Sequence, residues 1–296
     1  MPADSATSIV VPSSKIADRL PPHVFFLVSA VFHYLGPSFA VLLFASLAPT
    51  GVAWLRIASA GLIFALWRRP WRAFATLPMR DMAIIGALGV VLAAMNTLFY
   101  EAIARLPLAT VGAIEFLGPI TLAAWGIRAR RNLAALILAV AGVFVLTDIR
   151  IAGEPLGYVF AFANCSLFMG YIVLGHHISS GGAGISGIDR LGCAMLVATM
   201  AALPFGLDSA LAAFSSPSLL AAAIGVGVSS SVIPYVCDQL AMARLPRASF
   251  ALLLSLLPAS ATVIGFIVLS QVPSLAELAG IALVIAGVAL HRTYKS

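Results

Sequence analysis

The sequence predicts an all-α integral membrane protein with ten transmembrane helices in two inverted five-helix repeats. Three observations carry that expectation. Of the 296 residues, 61% are hydrophobic and only 9% charged, where a soluble domain carries about 25% charged residues. So few charges cannot cover a water-facing surface. Apolar runs recur from His23 to near the C-terminus, joined by short connections. They suit helices crossing a ~30 Å core, and the short alternating segments of a barrel are absent. Finally, one stretch occurs twice. Residues 102–120 read AIARLPLATVGAIEFLGPI and residues 241–259 read AMARLPRASFALLLSLLPA. Arg105, Leu106, Pro107, Ala109 and Pro119 recur as Arg244, Leu245, Pro246, Ala248 and Pro258, each 139 positions on. A polar turn between apolar spans, repeated once per half-chain, marks a duplicated membrane unit.

The ten spans fall at 23–45, 50–67, 81–100, 107–127, 132–148, 155–177, 186–206, 217–238, 246–269 and 274–291. At ~1.5 Å per residue each can cross the core. The domain reading follows: a cytoplasmic tail over 1–22, a first five-helix repeat over 23–148 and a second, inverted one over 155–291. The tail is Ser/Ala-rich, carries Lys15 and Arg19, and lacks the apolar core of a signal peptide. The glycine-rich loop Ser179–Gly187 is expected to be flexible.

Basic residues set the orientation. With the N-terminus inside, the inner segments hold fourteen Lys and Arg residues, the outer loops hold only Arg105 and Arg150, and Arg56 lies within a span. Both termini are therefore expected in the cytoplasm. Five spans per half is an odd number, so the second copy lies upside down relative to the first. The Arg105 turn then faces outward and the Arg244 turn inward. The formal net charge of +6 reads as this loop bias and not as a nucleic-acid surface.

Ionisable residues inside spans need a reason. Arg56 and Glu115 both sit roughly 9–12 Å deep from the outer face, which predicts a structural ion pair between them. Two readings stay open for it: a clasp, and a site where Glu115 meets a substrate ammonium or a proton. Asn96 and Tyr100 share a face of span three, and their repeat mates are Tyr235 and Gln239. His33 and Tyr34 in span one, and Asn164 and Tyr171 in span six, complete the candidate cavity. Interhelical hydrogen bonding is the alternative for these polar groups. Asp238, close to Arg244, reads as part of a solvated loop pair. Trp67 and Trp125 read as interface anchors. Pro119 and Pro258 interrupt equivalent helices and are expected to bend the substrate path open and shut.

Cys165, Cys193 and Cys237 lie in apolar spans without metal-ligand spacing, so no metal and no cofactor are expected. There is no GxSxG, HExxH, GxGxxG or phosphate-binding loop, and no nucleophile–base pair, so neither an enzyme nor an ATP-driven pump is expected. A membrane receptor or scaffold would not require paired bent helices.

The stretch MNTLFYEAIARLPLATVGAIEFLGPI, residues 95–120, closely resembles the third and fourth spans of the threonine/homoserine-type amino-acid exporters of the EamA family, within the drug/metabolite transporter superfamily. IPYVCDQLAMARLP, residues 233–246, resembles the same family's eighth span and following turn. The resemblance implies a monomeric carrier in the bacterial inner membrane that exports amino acids or related metabolites by alternating access. An exporter of another small metabolite or amphipathic drug on the same scaffold is the alternative. One departure stands out. These exporters tend to carry Glu before the proline of span nine, where this chain has Leu257, so a second membrane carboxylate is not expected.

Overall fold

The computed structural model describes residues 20–71, 76–106, 108–125, 130–146, 154–179, 185–254, 256–269 and 274–290. Residues 1–19 of the expected tail (1–22), the centre of the glycine-rich loop (180–184) and several of the basic residues, among them Arg72, Arg128 and Arg150, lie outside them. What is described is helical throughout, apart from turns and one short bridge.

The helices are α1 (Pro22–Leu43), α2 (Pro49–Arg68), α3 (Met79–Ile103), α4 (Leu108–Trp125), α5 (Arg130–Leu146), α6 (Pro155–Ser179) and α7 (Gly187–Phe214). Then come α8 (Pro217–Met242), α9 (Arg247–Leu253), α10 (Leu256–Leu269) and α11 (Leu275–Leu290). Pro22, Pro49, Pro155 and Pro217 open their helices, where the missing N–H costs nothing and φ is already helical. Ser186 caps α7, its hydroxyl accepting from the Asp189 N–H while the Asp189 carboxylate returns to the cap.

Six of these helices, α1, α2, α3, α6, α7 and α8, are long and apolar enough among the described residues to cross a bilayer. Their outward faces stay apolar, as the exposure of Leu66 (73%) and Phe205 (70%) requires of a surface that meets lipid and not water. Inside, small residues let backbones approach: Ala194, Ala198, Ala202 and Ala210 of α7 are buried, as are Ala53 and Ala60 of α2.

Three expectations change. Span seven runs to Phe214, well past the expected end at 206, because Pro204 and Asp208 sit within a helix that keeps its apolar pattern. Span eight is not a plain α-helix, since Val228–Val232 forms one π-turn. The two prolines also differ. α4 continues through Pro119, whereas the ninth span breaks after Leu253 and restarts at Leu256. There Leu257 N–H bonds Leu254 O at 3.0 Å in a tighter turn. Pro258 has no N–H with which to reach the Leu254 carbonyl a full turn back.

The two Arg-Leu-Pro turns match bond for bond. Leu106 N–H reaches Ala102 O at 2.8 Å, and Leu245 N–H reaches Ala241 O at 2.9 Å. Arg105 and Arg244 N–H reach the same two carbonyls, each at 3.0 Å. Both guanidinium groups cover a phenylalanine, Arg105 over Phe160 of α6 and Arg244 over Phe25 of α1. Arg105 is also ion-paired to Glu101 and Glu154, and Arg244 donates to Leu20 O. At the Arg244 end, Arg68 ties α2 to Asp189 of α7 at 2.7 Å, and Arg190 ties α7 to Asp81 of α3 at 3.4 Å.

Packing runs in swapped pairs. α3 lies on α6 as α8 lies on α1, α4 on α6 as α10 on α1, and α3 on α7 as α8 on α2. α2 pairs with α7, and α5 with α11. The core these contacts enclose draws on α1, α2, α3, α6, α7 and α8 together.

Candidate functional site: a buried polar cavity with two unpaired charges

The site starts from a backbone defect in α8. In a regular helix the Ser230 carbonyl would accept from the N–H of residue 234, but that residue is proline. The π-turn shifts the ladder, so Ile233 N–H bonds Val228 O, and the Ser230 carbonyl has lost its ordinary i+4 donor. Arg56 of α2 takes it: Nη2 donates to Ser230 O at 2.7 Å and Nε donates to Ser231 Oγ at 2.8 Å. The Tyr100 ring lies 5.4 Å from the guanidinium carbon, an added cation–π attraction. Two glycines permit the approach. A Cβ on Gly227 would fall 2.9 Å from Arg56 O, and one on Gly36 would fall 2.8 Å from Ser230 N. Both separations are closer than carbon atoms tolerate.

Asn96 and Tyr235, repeat mates 139 residues apart, bond each other. Asn96 Nδ2 donates to the Tyr235 hydroxyl at 3.0 Å, and Asn96 Oδ1 accepts from it at 3.1 Å. On the other side, Glu115 of α4 accepts from Asn164 Nδ2 at 2.9 Å through Oε1. Its Oε2 faces His33 Nε2 at 3.8 Å, too far for a hydrogen bond. Among the described residues, Glu115 Oε2 and Asn164 Oδ1 are both buried acceptors without a donor.

These groups surround one cavity of about 10 Å³, lined by His33, Pro37, Arg56, Met95, Asn96, Phe99, Glu115, Asn164 and Tyr235. That is room for about one water, far below the roughly 300–1,000 Å³ of an ordinary ligand pocket, so this state has closed down around its polar centre and excludes a solute. Among the described residues no cluster of three His, Cys, Asp or Glu side chains could hold a metal ion.

Five of the nine cavity residues expected from sequence line it: His33, Asn96, Glu115, Asn164 and Tyr235. Tyr34, Tyr100, Tyr171 and Gln239 are buried but do not line it. The expected Arg56–Glu115 ion pair does not form. The depths agree, but α2 turns Arg56 toward the π-turn of α8, while α4 packs on α6 and turns Glu115 toward Asn164. Both charges line one cavity, each bonded to neutral partners.

Asp238 is a second correction. It is not solvated beside Arg244 but is 2% exposed, accepting from Ser29 Oγ and from Tyr171 OH at 2.8 Å. The chain therefore does carry a second membrane carboxylate, although Leu257 is apolar. Sequence held a usable signal, since Asp238 lies three residues past Tyr235 and shares its helix face. Ser230 and Ser231 were missed as well, and Pro234 four residues past Ser230 was their signal.

A multi-pass all-helical membrane protein with a polar, charge-bearing cavity at its centre is a transporter of small molecules. The comparisons with known proteins agree. The EamA-like transporter family matches residues 155–293. The threonine/homoserine exporter RhtA of Escherichia coli is 29% identical over 272 residues, covering 90% of this chain and 89% of that protein. RhtA of Salmonella typhimurium is 30% identical over 243 residues, covering 80% and 79%. A solved protein structure shares the fold at a TM-score of 0.66, with 20% identity, over 90% of this chain and 96% of its own. The chain belongs to the EamA-like transporter family, within the drug/metabolite transporter superfamily, and is a transporter and not an enzyme.

Proposed function

We propose that the chain exports amino acids and related metabolites across a bacterial inner membrane, by alternating access between two inverted five-helix halves, 23–148 and 155–291. The swapped packing pairs support the inverted repeat, since exchanging each helix with its mate in the other half reproduces the contacts. The Asn96–Tyr235 bond supports it too. Repeat mates touch each other only beside the axis that relates them, and carriers of this kind bind their solutes on such an axis. The family match over 155–293 coincides with the second half alone. Both termini lie in the cytoplasm, by the fourteen-to-two distribution of Lys and Arg. A reporter active only in the periplasm, fused after Ser296, is expected to stay silent, and activity there overturns the orientation.

The observation that carries the solute reading is the pair of opposite charges that share the cavity without bonding each other. Glu115 Oε2 and Asn164 Oδ1 lack donors among the described residues, and an ammonium supplies them. Arg56 makes no hydrogen bond through Nη1 among the described residues, so the guanidinium retains a donor for a carboxylate. A zwitterion carries one group for each of them, and the cavity must open from this closed state to admit it. The names of the exporters similar to this chain agree with that class.

Counterflow in proteoliposomes tests it. Free amino acids are expected to exchange, while their N-acetyl and amide forms, each lacking one charge, are not. Glu115→Gln keeps the shape and removes the charge. A lost charge-assisted hydrogen bond is worth about 1.5–3 kcal/mol, so KM should rise roughly 10- to 100-fold. Exchange by Glu115→Gln with the parent's KM sinks the site assignment, and exchange of amphipathic cations in place of amino acids favours the drug-exporter alternative.

A further inference from the structure

Asp238 is a buried carboxyl that the cavity does not use, since it is 2% exposed and lines no part of it. Two hydroxyls from different helices hold it: Ser29 of α1 donates to Oδ1 at 2.5 Å, and Tyr171 of α6 donates to Oδ2 at 2.8 Å. The titratable groups around it are His33 of α1, Tyr171 of α6, and Tyr235 and Cys237 on its own helix. Beyond Tyr235 lie Arg56 of α2 and Glu115 of α4. Among the described residues no charged side chain of α7 or α9 acts on it.

His33 Nε2 lies 3.8 Å from Glu115 Oε2, and His33 is also near enough to Asp238 to act on its charge. The buried set is one guanidinium, two carboxyls and one imidazole. With His33 neutral and both carboxyls ionised it carries one net negative charge, and one bound proton makes it neutral. An uncompensated charge at this depth is costly, so the set has room for one proton. The grip on Asp238 also depends on packing. Ser29 and Tyr171 come from α1 and α6, the first helices of the two halves. Movement of one half against the other withdraws a donor, and the neutral acid is then the form that a buried site tolerates.

We propose that Asp238 carries the proton that drives solute out, making the chain a proton/solute antiporter. The proton adds to an Asp238 carboxylate oxygen from outer water and leaves the same oxygen to cytoplasmic water, with nothing oxidised or reduced. This rests on the export reading above, but not on which solute moves.

The test uses the full chain in proteoliposomes with radiolabelled threonine as probe. One proton per solute across one pH unit sustains about a ten-fold accumulation, so acid-inside vesicles should accumulate threonine about that far. Asp238→Asn should keep counterflow without a gradient and lose the accumulation, and Asp238→Glu should retain both. Accumulation by Asp238→Asn equal to the parent's overturns the proposal. So does indifference of the parent to the gradient, or a folded Asp238→Asn that has lost counterflow as well.

Infrared difference spectra of the purified protein supply an arm independent of solute. A carboxylic-acid C=O band that titrates with pH and is missing from Asp238→Asn supports the proposal, and its persistence in the variant overturns it. If threonine does not exchange at all, the solute reading is what failed, and the infrared arm decides the proton site alone. If Asp238→Asn does not fold, Tyr171→Phe takes its place. Removing one donor should shift the pH midpoint of that band, and an unmoved midpoint overturns the assignment.

Discussion

Arg56→Met is expected to reduce amino-acid counterflow at least about 100-fold and to destabilise the fold by about 3 kcal/mol. Both effects come from the same bonds. Arg56 is 4% exposed and donates to Ser230 O and Ser231 Oγ. Pro234 cannot replace it at the Ser230 carbonyl, so the substitution strands a buried acceptor inside a membrane, where no water substitutes. It also leaves Glu115 as an uncompensated charge beside the cavity and removes the group proposed to hold the solute carboxylate. Arg56→Lys separates these contributions. It restores the charge but not the two-pronged geometry, so stability should recover in part and exchange should remain well below the parent's. Initial counterflow rates and the melting temperature in detergent measure the two effects. Parent-like transport by Arg56→Met would remove Arg56 from the site.

Gly227→Ala is expected to cost about 1–3 kcal/mol and to lower transport without touching a polar group. The added carbon would lie 2.9 Å from the Arg56 carbonyl oxygen and 1.8 Å from Ser59 Oγ. The hydroxyl can rotate away, but the carbonyl belongs to the backbone of α2 and cannot. α8 must therefore back off from α2, which lengthens the Arg56 bonds to Ser230 and Ser231. Gly225→Ala is the control, because a Cβ there meets nothing within 4 Å. Equal melting temperatures for the two variants would show that the α2–α8 contact has slack that the structure does not reveal.

The residues that mattered were legible to different degrees. Hydropathy alone located the six long apolar helices among the described residues, because an apolar run of this length has few other ways to satisfy its backbone in lipid. The 139-residue offset anticipated the matched turns, whose hydrogen bonds proved identical in pattern. It also named Asn96 and Tyr235 as mates before the structure showed them bonded. Depth was legible as well, since rise per residue is constant, and Arg56 and Glu115 do reach the same cavity.

Azimuth and neighbours were decided by tertiary structure. Nothing in a strongly apolar helix says which way a given side chain turns, since lipid and core are similarly apolar and the usual amphipathic contrast is lost. That is why the Arg56–Glu115 pair dissolved into separate partners, and why Asp238, placed near water by its closeness to Arg244, lies instead between Ser29 and Tyr171. The π-turn that presents the Ser230 carbonyl is likewise a product of context. Pro234 made one carbonyl available, but only the approach of α2 across Gly227 gave it a charge to hold. The sequence by itself determined a bundle of membrane helices and the depth of its polar groups, because backbone satisfaction in lipid leaves no other solution. Which of those groups meet, and therefore where the two charges stand, was settled only when the helices chose their neighbours.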